Sequence, residues 1–151
     1  MLLINGIACV LIQLGLFLIL SKLPTPADAL LLQLTFSKET FTHIAQTWGI
    51  EGTHIYLNHY YLDMMYPIFY SLFLSGILKK FSSTSIIYLP FIACAFDLIE
   101  NTCHILLLTS GNFSFSLIIL AALCAWIKWI ILLITLILVF LFWKKSPSPP
   151  Y

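Results

Sequence analysis

Charge is what this sequence has least of. Only 9% of its 151 residues are Asp, Glu, Lys or Arg, against roughly a quarter in an ordinary soluble domain. A water-soluble fold is excluded on that ground. The net charge of +1 leaves no basic face for a nucleic acid. Cysteine is present at four positions, Cys9, Cys94, Cys103 and Cys124, but no C-x-x-C pair occurs. Zinc-ribbon and dithiol redox chemistry lose their spacing, and the thiols read as small core residues. There is no internal repeat, and almost no length is left over for a separate soluble domain.

What the chain has instead is apolar length. Hydrophobic residues make up 61% of it, gathered into runs at 2–20, 60–78, 86–109 and 116–143, each matching the roughly 17 to 25 residues of a membrane-spanning helix. The fourth is longer, so it tilts or protrudes. Backbone polar groups in lipid must be satisfied within the chain, so the expectation is an all-α polytopic membrane protein. Residues 1–145 form a single four-helix transmembrane bundle, and 146–151, rich in Pro and Ser, form a short disordered tail. The first run is read as a retained span rather than a secretory signal, because no Lys or Arg precedes it and its apolar length exceeds a signal core.

Four spans put both termini and the second connection on one side, with Lys79, Lys80, Lys144 and Lys145. The other side holds Lys22 and Lys38 beside Asp28, Glu39 and Glu51. The lysine bias marks the first side as cytoplasmic, and a bacterial inner membrane is the expected location. Asn112-Phe113-Ser114 is a formal glycosylation sequon that matters only in a eukaryotic secretory membrane. In the long outer segment, Asp28 is a candidate cap for a short apolar helix over 29–34. Ser37 is a second cap, with Phe41, Ile44, Ala45 and Trp48 at helical spacing and Gly49 as a stop. This predicts an amphipathic interfacial helix that anchors the loop, or serves as a lid.

Ionisable residues stand where lipid normally excludes them. Asp97, Glu100, Asn101 and His104 share about a third of the circumference of the third span, with Pro90 and Cys94 on the same face. His59, Asp63, Tyr66, Pro67 and Tyr70 share a face of the second. Lys128 shares one of the fourth with Ala121, Cys124 and Ala125, small residues that permit close helix approach. Asn5 and Gln13 are weaker candidates. At about 1.5 Å per residue, Asp63 and His104 lie roughly 5 to 8 Å below the outer boundary, Tyr66, Glu100 and Asn101 roughly 9 to 14 Å, and Asp97 and Lys128 about 18 Å.

These depths predict that Lys128 pairs with Asp97 or, failing that, with Glu100, and that Asp63 sits beside His104. One lysine neutralises one of three carboxylates, so at least one of Glu100 and Asp63 depends on a proton, water or a ligand. On that basis Glu100, Asp63 and His104 are the candidate acid and base groups, and Asp97, Asn101, Lys128, Tyr66, Tyr70 and His59 the candidate ligand contacts. Tyr60 and Tyr61 fit the aromatic belt of the interface better than a site. Glu-x-x-x-His on one helix can hold a metal, but Lys128 opposes a cation there, so no metal and no cofactor is expected.

The pattern Asp63-x-x-x-Pro67-x-x-Tyr70 followed by Asp97-x-x-Glu100-Asn101 resembles that of small, uncharacterised bacterial membrane proteins. In architecture the chain also resembles the EXPERA family of sterol isomerases and sigma-2-type receptors: four helices, cytoplasmic termini, a long first outer loop and intramembrane acids. That resemblance implies a cavity for a sterol-like, isoprenoid or amine-containing ligand, with Asp63 standing for the acid of the second helix. The expected function is therefore binding or conversion of an apolar or cationic amphiphilic ligand taken from membrane lipid, in a cavity opening toward the outer face. A proton- or cation-coupled carrier or channel, as a homo-oligomer, and a non-catalytic assembly protein are the alternatives.

Overall fold

An apolar run becomes a helix where nothing interrupts its backbone ladder, and the breaks in this chain fall at Pro and Gly. The computed structural model describes residues 1–81 and 85–145; the expected tail at 146–151 lies outside the described residues. Helix α1 (Leu2–Leu20) ends where Ser21 closes the last turn, its N–H donating to Phe17 O and its hydroxyl to Leu18 O. After Pro24 and Pro26 comes the short helix α2 (Asp28–Leu34). Asp28 is inside its first turn rather than at the cap, where its charge faces the positive helix end.

Helix α3 (Lys38–Asp63) begins at Ser37, whose hydroxyl accepts from the Thr40 N–H at 3.1 Å. Gly49 interrupts it with φ 63° and ψ −166°, a conformation essentially confined to glycine. The chain does not stop there. It turns and resumes a second helical segment that runs to Asp63. Helix α4 (Tyr66–Phe81) follows after a break at Met64 and Met65, because Pro67 has no N–H to give the Asp63 carbonyl. A single 3-10 turn (Ser85–Tyr88) leads into helix α5 (Leu89–Ser110), with Pro90 in its first turn and Gly111 closing it in the left-handed conformation. Helix α6 (Phe115–Lys145) is the longest uninterrupted helix of the chain.

Every regular element among the described residues is helical. Four stretches, Leu2–Leu20, Lys38–Phe81, Ser85–Ser110 and Phe115–Lys144, are long and apolar enough to cross a membrane. The second starts well before residue 60, because Glu51, His54 and Asn58 lower its hydropathy without breaking its helix.

Helix α5 is the centre of the bundle, packed against α6, α4 and α3, while α1 leans on α4 and α3 from outside. Half of the most apolar α5 window is buried against 6% of the α1 window, so α5 carries the interior and α1 the apolar exterior. Ala121, Ala122, Cys124 and Ala125 are buried, and their small side chains let α6 approach α5 closely. One apolar core joins Leu32 of α2, Phe41, Ile44 and Trp48 of α3, and Leu107 and Ile118. The stripe expected to face an interface is thus turned onto protein. A second, smaller core forms around Tyr70, Leu74 and Ala93. The polar side chains are gathered between the two cores.

Candidate functional site

Lys128 reaches across from α6 to two carboxylates one helical turn apart on α5. Its Nζ is 2.7 Å from Asp97 Oδ1 and 2.7 Å from Glu100 Oε2. Tyr70 of α4 donates its hydroxyl to Asp97 Oδ2 at 3.1 Å, so both oxygens of Asp97 are engaged. Both expected partners of the lysine are therefore taken at once. This corrects the expectation that Glu100 is left without a cation. Its Oε2 is in ion-pair contact with Lys128, neither of its oxygens has a hydrogen-bond partner, and the side chain is wholly buried.

Asp63 ends α3 one layer away. Its Oδ2 accepts from Asn101 Nδ2 at 3.1 Å, and Asn101 Oδ1 has no partner of its own. The residue is 6% exposed, and its hydrogen-bond partner is a neutral amide. One ammonium stands among three carboxylates, so two negative charges are left over. Lys128 is shared by the two acids of α5, and Asp63 is the carboxylate with no cation in contact.

A cavity of about 480 Å³ between α1, α2, α3 and α6 reaches this group. Leu16, Ala29 and Trp129 form part of its wall, Asp63, His59 and Lys128 are its ionisable lining, and Gln13, Gln33, Tyr56 and Tyr66 add neutral polar groups. Glu100, Asp97 and Asn101 do not line it. His59 is 6% exposed and stacked on Tyr56 with ring centroids 5.3 Å apart, and its Nδ1 has no protein partner. Tyr66 sits against Tyr70 at 5.4 Å between ring centroids, so of the two tyrosines only Tyr66 faces this space.

His104 is elsewhere. Its ring lies flat between Tyr60, at 4.9 Å and 8°, and Phe41, at 6.0 Å and 14°. Nδ1 is 3.1 Å from the Glu100 carbonyl oxygen, an acceptor to which a protonated Nδ1 would donate. Asp63 pairs with Asn101 in place of the expected His104. The helical arithmetic put His104 on the right face, but α2 and the first half of α3 fold over that end of the bundle and seal it in apolar surroundings.

Sequence reasoning missed Tyr56 and misassigned Tyr60. Tyr60 is fully buried, and its hydroxyl donates to Tyr56 Oη at 3.2 Å; Tyr56 in turn donates to the Ala29 carbonyl of α2 at 3.0 Å. A belt position was expected because Tyr60 was counted as the first residue of a span, whereas the helix starts a further two to three turns earlier. Tyr61, one position on, is exposed. Trp129 was also missed. Next to Lys128 in sequence, it lines the cavity from a half-exposed position.

No family model, curated protein or solved structure matches the chain. Its function is argued from the site alone. All four cysteines are free thiols. Among the described residues no three of His, Cys, Asp and Glu converge as a metal-holding group.

Proposed function

We propose that this chain is a multi-pass membrane protein that binds a lipid-soluble cation, an amine-bearing ligand, at Asp63. Asp63 is nearly fully buried, ends a cavity of about 480 Å³, and has only a neutral amide as hydrogen-bond partner. That observation carries the proposal. A carboxylate without a counterion in a low-dielectric interior is tolerated only if a proton or a cation neutralises it, and the open side of Asp63 is the cavity. The volume falls within the roughly 300 to 1,000 Å³ common for small-molecule sites. Lys128 also lines the cavity, its charge held by Asp97 and Glu100 behind it, and Tyr66 and His59 are the neighbouring ligand contacts. The lysine bias supports cytoplasmic termini and an outward-facing first loop, in a bacterial inner membrane. The architectural likeness to EXPERA proteins agrees with an acid at Asp63 and extends to sterol-like ligands.

The test is thermal stabilisation of the purified protein by a panel of lipophilic amines. Wild type and Glu100→Gln are expected to be stabilised, since Glu100 lies outside the cavity, and Asp63→Asn is expected to lose the effect while keeping the Asn101 contact. Stabilisation that survives in Asp63→Asn removes Asp63 from the binding role. Absence of stabilisation in every protein, together with proton or cation flux in reconstituted vesicles, replaces the binding reading with the carrier.

A further inference from the structure

The cavity that ends on Asp63 has a neighbour. Gln13, Tyr66 and Trp129 line both that cavity and a second space of about 510 Å³ between α1, α4 and α6. The second space is walled mainly by apolar side chains, Leu74 of α4 and Leu132 and Leu136 of α6 among them. From Trp129 to Leu136 the α6 axis advances about 10 Å, so the space runs along the bundle. One end of the combined space is polar and acidic, and the other is hydrocarbon.

We propose that the two spaces are one ligand site and that its ligand is a single-chain cationic amphiphile, entering between α1 and α6. The ammonium sits at Asp63, and the alkyl chain lies along α6 in the lower space. This rests on the reading that Asp63 binds a cation. Two side chains more than nine-tenths buried stand on the upper wall: His59, whose Nδ1 has no protein partner, and Asp63, which has no cation in contact and only the Asn101 amide as hydrogen-bond partner. A primary ammonium can donate to both, to the carboxylate by charge and to an unprotonated imidazole nitrogen through its lone pair.

The lower space adds selectivity of shape rather than affinity. A chain leaving lipid for an apolar cleft exchanges one hydrocarbon surface for another, and little free energy is gained. What the cleft decides is where the chain lies, so the experiment reads position. Cys9 lines the lower space and is half-buried, whereas Cys94, Cys103 and Cys124 are buried.

With the full chain in phosphatidylcholine nanodiscs, the rate of Cys9 modification by N-ethylmaleimide is followed by mass spectrometry. Decylamine at roughly ten times its Kd is expected to slow the reaction about tenfold, in proportion to the free fraction. Propylamine is expected to compete with decylamine and restore the rate. Leu132→Trp, which fills the lower space, is expected to lose the decylamine protection while propylamine still stabilises it, and Asp63→Asn to lose both. Asp63-dependent binding of both amines with an unchanged Cys9 rate overturns the chain placement and leaves the head site standing. A rigid polycyclic amine that shields Cys9 as well as decylamine does overturns the restriction to a single chain. Absence of any Asp63-dependent binding removes the underlying reading and this proposal with it.

Discussion

Lys128 carries one positive charge between two carboxylates, and the consequences of removing it are not symmetric. Lys128→Met leaves Asp97 and Glu100 buried and unpaired, at a cost of about 3–5 kcal/mol. Adding Asp97→Asn and Glu100→Gln removes the charges together and is expected to recover most of that loss. Thermal unfolding in detergent of the single and triple variants measures it, and equal damage in both would argue against the pairing. Asp63 behaves differently because its partner is neutral. Asparagine at 63 still accepts from Asn101, so Asp63→Asn is expected to keep wild-type stability within about 1 kcal/mol while losing amine binding. The pairing of Lys128 with the α5 acids was legible from helical phase and depth. The engagement of both acids was not, since contact of one ammonium with two carboxylates depends on how closely α6 approaches α5.

At the scale of elements, Gly49 is the hinge between a helix that caps the bundle and one that runs through it. A Cβ there meets nothing within 4 Å, so the cost of Gly49→Ala is the backbone conformation alone, about 1–3 kcal/mol. That loss is expected in thermal unfolding, with the rest of the bundle retaining its helicity by circular dichroism. Helix α2 is held by the Tyr56 hydroxyl on Ala29 O and by Trp126 Nε1 on Leu34 O at 3.4 Å. Tyr56→Phe removes the first, and about 1 kcal/mol with it. Because α2 forms one wall of the Asp63 cavity, faster hydrogen exchange over 28–34 should accompany this change. Exchange confined to wild-type rates there would show that the bond does not fasten α2. The spacing of Phe41, Ile44, Ala45 and Trp48 was enough to identify an apolar stripe. Periodicity reports that a face is buried and says nothing of whether lipid or protein buries it.

For the whole molecule, four helices among the described residues are long and apolar enough to cross a membrane, and the proposed orientation, both ends in the cytoplasm, rests on the lysine bias at 79, 80, 144 and 145. Single cysteines at Ser82 and Ser148 are expected to be protected from an impermeant thiol reagent applied outside intact cells, and those at Thr40 and Asn112 to react, in a background lacking the native four. Outside labelling of Ser82→Cys would reverse the orientation and put the Asp63 cavity on the opposite leaflet. The arrangement also explains why α1 contributes so little to the core. It leans on α4 and α3 and leaves a cleft toward α6, and that cleft is the side entrance the ligand proposal needs.

The sequence by itself determined that the fold is helical and how many long apolar helices it holds, because hydropathy and length are local sums that tertiary contacts do not alter. It also determined which faces are interior. Asp97, Glu100, Asn101 and His104 on α5, and His59, Asp63 and Tyr70 on the preceding span, share faces by rotation alone, and all are buried. Only the tertiary structure decided what those groups meet. His104 is sealed in an aromatic stack by an element distant in sequence, Glu100 shares the one ammonium of α6 with Asp97, and Asp63 is left facing a cavity. These outcomes depend on the relative heights and separations of helices, which are set by small residues such as Ala121, Cys124 and Ala125 at their contacts and by breaks at Gly49 and Pro67. No periodicity along one helix contains that information.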